Sequence, residues 1–292
     1  MATADFFTPI VDDPFTWGRI AAANAVSDVY AMGGTPLFGL NLVAWPRDVL
    51  DLEQLAQVLD GGSAMAAEGG WVVAGGHTVD GPEPMYGMSM VGEVDPDIML
   101  TNAGLSAGET LILTKPLGTG LLATAVKRSE PELIASGGEL HEVYTAGITE
   151  MTRLNAAAAR VAVDVGARGA TDVTGFGLLG HLHKMLVASG ANAELDLTAM
   201  PLLSGARQLL EDGFVPGGTM RNLEYVRPHV DGDPDDDDLI LLADAQTSGG
   251  LLFGCDPTVV DEALAKLAAT GHTAAAVGTV TPTADQAGRI RV

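Results

Sequence analysis

Asp95-Pro96-Asp97-Ile98-Met99-Leu100-Thr101-Asn102-Ala103-Gly104-Leu105-Ser106-Ala107-Gly108 is the stretch where the hydrophobic pattern of the chain lapses. Pro96, Asn102 and Gly104 interrupt any regular element there, while apolar segments of helix and strand length stand on both sides. The stretch reads as a boundary between an N-terminal domain, residues 1–100, and a C-terminal domain, residues 101–292. The length of 292 residues agrees, at roughly 150 residues per domain.

Upstream, residues 6–11 read as a strand and residues 16–32 as an Ala-rich helix that Thr16 can cap and Gly33-Gly34 stops. A strand at 37–43, a helix at 50–68 and strands at 71–74 and 85–94 follow. Downstream, strands are expected at 110–114, 193–197, 251–254, 275–280 and 289–292. Helices are expected there at 120–127, 142–165, 176–189 and 259–269. Strands and helices mix without strict alternation, so the fold class is α/β in the mixed, α+β sense rather than a single Rossmann sheet. No Gly-x-Gly-x-x-Gly fingerprint follows a strand, and no solenoid repeat is visible.

Hydrophobic residues make up 47% and charged residues 18%, a composition that buries a core. Lys and Arg number 15 against 38 Asp and Glu, a net charge of −23 that repels nucleic-acid backbones and anionic membranes. A chain this acidic needs a divalent cation to handle a phosphate compound. Cys255 is the one cysteine, so no internal disulfide forms. Nowhere do about 18 apolar residues run together, and the N-terminus lacks a basic signal-peptide region. A cytoplasmic protein is expected.

Several polar residues stand out against this background. Asp28 lies in a small, apolar helix with Asn24 one turn before it, and reads equally as a surface acid or as one paired or metal-bound. Asp5 heads an apolar strand, and Asp12-Asp13-Pro14 is turn chemistry before a helix. Gly75-Gly76-His77-Thr78-Val79-Asp80-Gly81-Pro82-Glu83-Pro84 reads as a loop that is either a connection or a phosphate cradle. Thr171-Asp172-Val173-Thr174-Gly175-Phe176-Gly177 places an acid before a glycine-opened helix, as a cap or as a cation ligand facing an anion.

The remaining candidates are weaker. Lys115 follows a strand and is a solvated lysine or a phosphate contact, and Gln246-Thr247-Ser248-Gly249-Gly250 is a glycine turn. The acidic run from Asp231 to Asp238 lacks the spacing of an EF-hand and reads as a solvated loop. His181 and His183, two apart on a helix, do not share a face as zinc ligands would. Cys255 has no basic neighbour and reads as structural.

Taken in order, Asp5 to Asp13, Ser27-Asp28-Val29-Tyr30-Ala31-Met32-Gly33-Gly34, Gly75 to Pro84, Lys115-Pro116-Leu117-Gly118, Thr171 to His181 and Gln246 to Leu252 resemble the selenide, water dikinase (selenophosphate synthetase) family. The resemblance implies an aminoimidazole ribonucleotide synthetase-like fold of two domains, with the N-terminal domains paired in a homodimer through a shared barrel. It implies a Mg²⁺-dependent reaction in which ATP, selenide and water give selenophosphate, AMP and orthophosphate. It assigns Mg²⁺ to Asp28 and Asp172, and ATP to Asp5, Asp28, Gly76, His77 and Thr78.

Two departures qualify it. The family's glycine-rich opening segment, with its catalytic cysteine or selenocysteine, a lysine and a further metal-binding aspartate, has no counterpart in these 292 residues. The first domain is therefore expected to be truncated at its start, a UGA selenocysteine codon upstream of Met1 having been taken as a stop. Neither Cys255 nor Lys115 matches the missing residues, so no catalytic residue is assigned within the chain. Ala245 stands where the family usually has proline. The alternative is a non-catalytic Mg–ATP-binding remnant. Hydrogenase-maturation and thiamine-phosphate relatives are disfavoured by residues 77–84 and 246–250.

Overall fold

Asp13 starts the first helix: its carboxylate accepts from the Thr16 N–H at 2.8 Å, and Pro14 occupies the first turn. The cap is therefore Asp13, not Thr16. In this computed structural model, which describes all residues except Glu130 and Ala284, the first half runs β1 (Ala2–Phe7), α1 (Pro14–Ala31), β2 (Thr35–Trp45), α2 (Leu52–Gly69), β3 (Val72–Asp80) and β4 (Met85–Glu93). The opening strand lies earlier than residues 6–11 because Ala2 to Phe7 pair antiparallel with Val91 to Tyr86 of β4.

The second half carries β5 (Thr110–Leu113), α3 (Thr119–Arg128), α4 (Pro131–Ile134), α5 (His141–Thr152), α6 (Ala156–Asp164), β6 (Ala170–Asp172) and α7 (Gly177–Ser189). It continues with β7 (Ala191–Leu195), α8 (Ala206–Glu211), α9 (Gly217–Val226), β8 (Val230–Asp231), α10 (Asp236–Ala243), β9 (Leu251–Cys255), α11 (Val260–Ala269), β10 (Ala275–Pro282) and β11 (Ile290–Arg291). Among the described residues the strands form a four-stranded sheet, ordered β1-β4-β2-β3, and a seven-stranded sheet, ordered β6-β9-β5-β10-β7-β11-β8.

Helix α1 joins the two halves. Ile20, Ala21, Ala25, Val26 and Val29 are fully buried, and the apolar cluster they belong to runs from Met88 and Met90 of β4 to Val161 and Ala162 of α6. Its approach to α2 depends on glycine: a Cβ on Gly18 would overlap the Val58 carbonyl, and one on Gly61 the Phe15 carbonyl. A second cluster, built on α7, β7 and α10, fills the C-terminal half.

Three further expectations are corrected. The helix expected over 142–165 is two, α5 and α6, because Arg153 is extended and Asn155 turns its amide to Ser27 Oγ and the Gly249 carbonyl, both at 2.9 Å. The acidic run is not wholly a loop: Asp235 caps α10 through the Asp238 N–H at 2.8 Å, and Asp236 to Asp238 form its first turn, where the helix dipole favours acids. The segment expected as a loop from Gly75 continues β3 as far as Asp80, since β2 offers a parallel partner along that whole length.

Candidate functional site

Asp28 lies near the C-terminal end of α1, where the Thr3 hydroxyl of β1 donates to its carboxylate. Asp172 ends the short strand β6, whose pairing with Leu251 to Phe253 of β9 sets its position. Both line one cavity of about 360 Å³ between the domains, together with Thr3, Thr101 and Thr171. Asp172 is buried, and its pKa is pushed up to about 7, first by desolvation and then by the Asp28 and Asp5 carboxylates. Asp5, in the interior of β1 rather than at its head, is raised to about 6 by burial and by Asp28.

These three acids form one electrostatic unit, and among the described residues none has a bonded cationic partner. Among the described residues no three His, Cys, Asp or Glu side chains converge as a complete metal cage. Two hard carboxylates facing a polar cavity instead fit a cation that completes its shell with water and phosphate oxygens, the habit of Mg²⁺. A cation there would relieve the repulsion that raises the Asp172 pKa.

Gly76, His77 and Thr78 stand apart from the acids. They pair with Asn41, Leu42 and Val43 of β2 on the exposed edge strand β3, whereas Asp5 is on the opposite edge strand β1. Three strand steps separate them, about 14 Å. The register slips between Gly39 and Leu40, with Ala74 the extra residue, and just past that bulge a Cβ on Gly76 would overlap the Asn41 carbonyl, so the close strand approach requires the glycine.

Around the acids lies a polar layer whose members the residue patterns offered only as weak candidates. Lys115 is not solvated: it is 1% exposed, and its Nζ donates to the carbonyls of Arg153 at 2.6 Å and Ser248 at 2.8 Å. Burial lowers its pKa to about 7, against the pull of Glu150 and Asp172. The Ser248 N–H donates to Asn24 Oδ1 at 2.9 Å, at a backbone φ of 49°. Residues 246–249 are thus tied both to α1 and to the α5–α6 break. The hints in the sequence were Asn24, a helical turn before Asp28, and the weaker candidates Lys115 and Gln246 to Gly250.

Gln246 and Asp244 serve the fold. Gln246 Oε1 accepts from the N–H groups of Gly118 and Thr119, and Asp244 Oδ2 accepts from that of Gly120 at 3.0 Å, so together they cap α3. His181 and His183 do not converge: His181 Nε2 accepts from the Thr174 N–H, and His183 Nδ1 donates to the Gly288 carbonyl. Cys255, buried on β9, has its thiol pKa pushed up to about 11 by burial and by Glu109 and Asp256.

This arrangement has known counterparts. The model of the AIR synthase related protein N-terminal domain matches residues 1–94, and that of the C-terminal domain matches residues 106–291. The selenide, water dikinase of Porphyromonas gingivalis is 46% identical over 278 residues, which cover 95% of this chain and 78% of that protein. The chain belongs to the selenide, water dikinase family. Family members from Myxococcus xanthus and Carboxydothermus hydrogenoformans are each 47% identical, over 95% and 96% of this chain and 78% and 79% of their own lengths.

Solved structures share the family's fold at lower identity. Thiamine-monophosphate kinase from Stenotrophomonas maltophilia superposes with a TM-score of 0.73 at 19% identity, over 99% of this chain and 84% of that one. Hydrogenase maturation protein HypE in complex with ATP gives 0.71 at 18%, over 99% and 80%. These two carry the two-domain architecture alone. The mixed α/β fold expected of a selenide, water dikinase is the one observed.

Proposed function

We infer that the chain makes selenophosphate from selenide, ATP and water, releasing AMP and orthophosphate. Near-half identity to selenide, water dikinases along 95% of the chain carries this reading. The same extent of similarity, through both domains, leaves the non-catalytic alternative without support.

In this reading residues 1–100 bind ATP and dimerise, and residues 101–292 cover the nucleotide. Asp28 and Asp172 hold Mg²⁺, while Asp5, Asp28, Gly76, His77 and Thr78 contact ATP. Bound Mg²⁺ supplies charge neutralisation for the triphosphate, without which the acids would repel it. The Thr3 hydroxyl orients Asp28, and Lys115 and Asn155 hold residues 246–249 against α1. Catalysis in such a site is positioning plus electrostatics. Cys255, buried with a raised pKa, takes no part as a nucleophile.

A homodimer completes the proposed site. Asp5 and His77 lie on opposite edges of one sheet, about 14 Å apart, so one protomer does not set them side by side. A second copy that closes the sheets into a barrel sets the β3 of one beside the β1 of its partner. Phe6, Leu37, Leu40, Val72 and Val79, exposed on β1, β2 and β3, supply apolar area for that contact. Selenide persists as a nucleophile only under reducing conditions, which suits a cytoplasmic reaction. Among the described residues no helix is long and apolar enough to cross a membrane.

Phosphorus NMR of the chain with ATP, Mg²⁺ and selenide, kept anaerobic, tests the reading. Selenophosphate, AMP and orthophosphate in equal amounts are expected, and none with Asp28→Asn. ATP converted to ADP alone, or products unaffected by Asp28→Asn, would refute it.

A further inference from the structure

A second polar cleft, of about 350 Å³, lies where α1 and α2 meet the α5–α6 corner and the end of α11. Arg19 lines it nine residues before Asp28, about 13 Å along α1, so this is not the carboxylate cavity. Arg153 and Arg160 line it too, a concentration of guanidiniums in a chain with only 15 Lys and Arg against 38 acids. Arg19 pairs with Glu68 at 2.8 Å and Arg153 with Glu150 at 3.3 Å, but Arg160 makes no ion pair among the described residues. Three cations against two acids leave the cleft positive. A Cβ on Gly271 would approach Arg153 Nη1 to 3.0 Å, so the turn after α11 is shaped around that guanidinium.

His272, also lining the cleft, is 6% exposed, and its Nε2 is buried without a hydrogen-bond partner among the described residues. Its Nδ1 lies 2.9 Å from the Thr270 hydroxyl, which donates to the Leu267 carbonyl at 2.8 Å. With the hydroxyl proton so committed, the ring proton sits on Nδ1 and Nε2 is a bare acceptor. Buried acceptors are satisfied in folded proteins, so this one calls for a donor. A neighbouring cavity of about 250 Å³ shares Arg160 and holds Tyr30, whose hydroxyl is likewise buried and unpaired.

We propose that this cleft binds a protonated oxyanion of the phosphate class, whose oxygens accept from Arg19, Arg153 and Arg160 and whose P–OH donates to His272. Guanidiniums match phosphate oxygens in forked geometry, and a monohydrogen phosphate or a phosphate monoester at its first protonation state supplies both halves of the pattern. The first domain contributes Arg19 and the second the other three residues, so the bound anion bridges the domain junction.

The test titrates the folded chain with inorganic phosphate in EDTA, where no divalent cation bridges phosphate to Asp28 and Asp172. Saturable broadening of the phosphorus resonance is expected, with a matching shift of the His272 imidazole signals. Arg160→Gln, a change at an exposed side chain, weakens binding by about fivefold or more, and Arg221→Gln on α9 leaves it unchanged. AMP, titrated in parallel, identifies a monoester as the ligand if it binds tighter than phosphate, and the inorganic anion if it does not. No saturable shift at His272 with either anion, or equal affinity in Arg160→Gln, overturns the proposal.

Discussion

Asp28, on the long helix of the first domain, and Asp172, at the end of a three-residue strand of the second, face the same cavity across the domain junction. Each is a hard oxygen donor, and after burial the Asp28 carboxylate is the largest cause raising the Asp172 pKa. In the proposed function the two domains share one cation through these carboxylates. Substitutions at either residue separate chemistry from folding.

Asp172→Asn removes a buried charge while keeping the side-chain shape. Its thermal midpoint in EDTA should equal or exceed that of the parent chain, because the desolvated carboxylate costs stability when ionised. Its kcat/KM should fall by at least about a hundredfold, and the stabilisation that Mg²⁺ gives the parent should vanish. Calorimetry with and without Mg²⁺ checks both. A large loss of stability in EDTA would mean that Asp172 is structural.

The raised pKa of Asp172, about 7 against the usual 3.8, fixes the sign of two pH effects. The folded state holds a proton there that the unfolded state releases near pH 4, so this group favours folding at low pH. That contribution is lost as pH rises through 7. The metal-free chain should therefore lose stability as pH rises from about 4 to about 7, with no further loss from this group above that. Mg²⁺ needs the ionised carboxylate, so its affinity should fall as pH drops below about 7, with proton release on binding. Calorimetric titration in two buffers measures that release.

Lys115→Met leaves the Arg153 and Ser248 carbonyls without their donor but also removes a buried charge. The first effect should prevail, at a net cost of about 2 kcal/mol read from urea unfolding. Hydrogen exchange should quicken at the Ser248 N–H, which bonds Asn24. An unchanged exchange rate there would show that the lysine does not hold residues 246–249.

Asp28→Asn and His77→Ala are each expected to inactivate. Mixed and allowed to exchange subunits, they should regain about a quarter of the parent activity. Half the dimers are then mixed, and one site in each mixed dimer draws Asp28 and His77 from intact chains. No recovery in a demonstrated heterodimer would place both residues in a site built from one chain.

Much of the first domain was legible locally. The Ala-rich run before Gly33-Gly34 specifies α1, and an acid inside it announces a polar demand that packing alone does not explain. Local pattern failed where distant groups decide the outcome. The break between α5 and α6 is held by Asn155 reaching Ser27 and Gly249, and by Lys115 bonding Arg153, over separations of 128, 94 and 38 residues. The glycines at 75 and 76 signal a loop when read alone. Beside β2 they continue the strand just past a bulge at Ala74, and at Gly76 the absent Cβ is what admits the Asn41 carbonyl. Lys115 follows a strand as solvated lysines do, and only the tertiary fold covers it.

A crystal structure with Mn²⁺ and a non-hydrolysable ATP analogue tests the central claim most directly. An anomalous peak is expected between Asp28 and Asp172, coordinated also by phosphate oxygens, with His77 and Thr78 of a second copy against the same nucleotide. A metal bound elsewhere, or a nucleotide seated without either carboxylate facing its phosphates, would contradict the account.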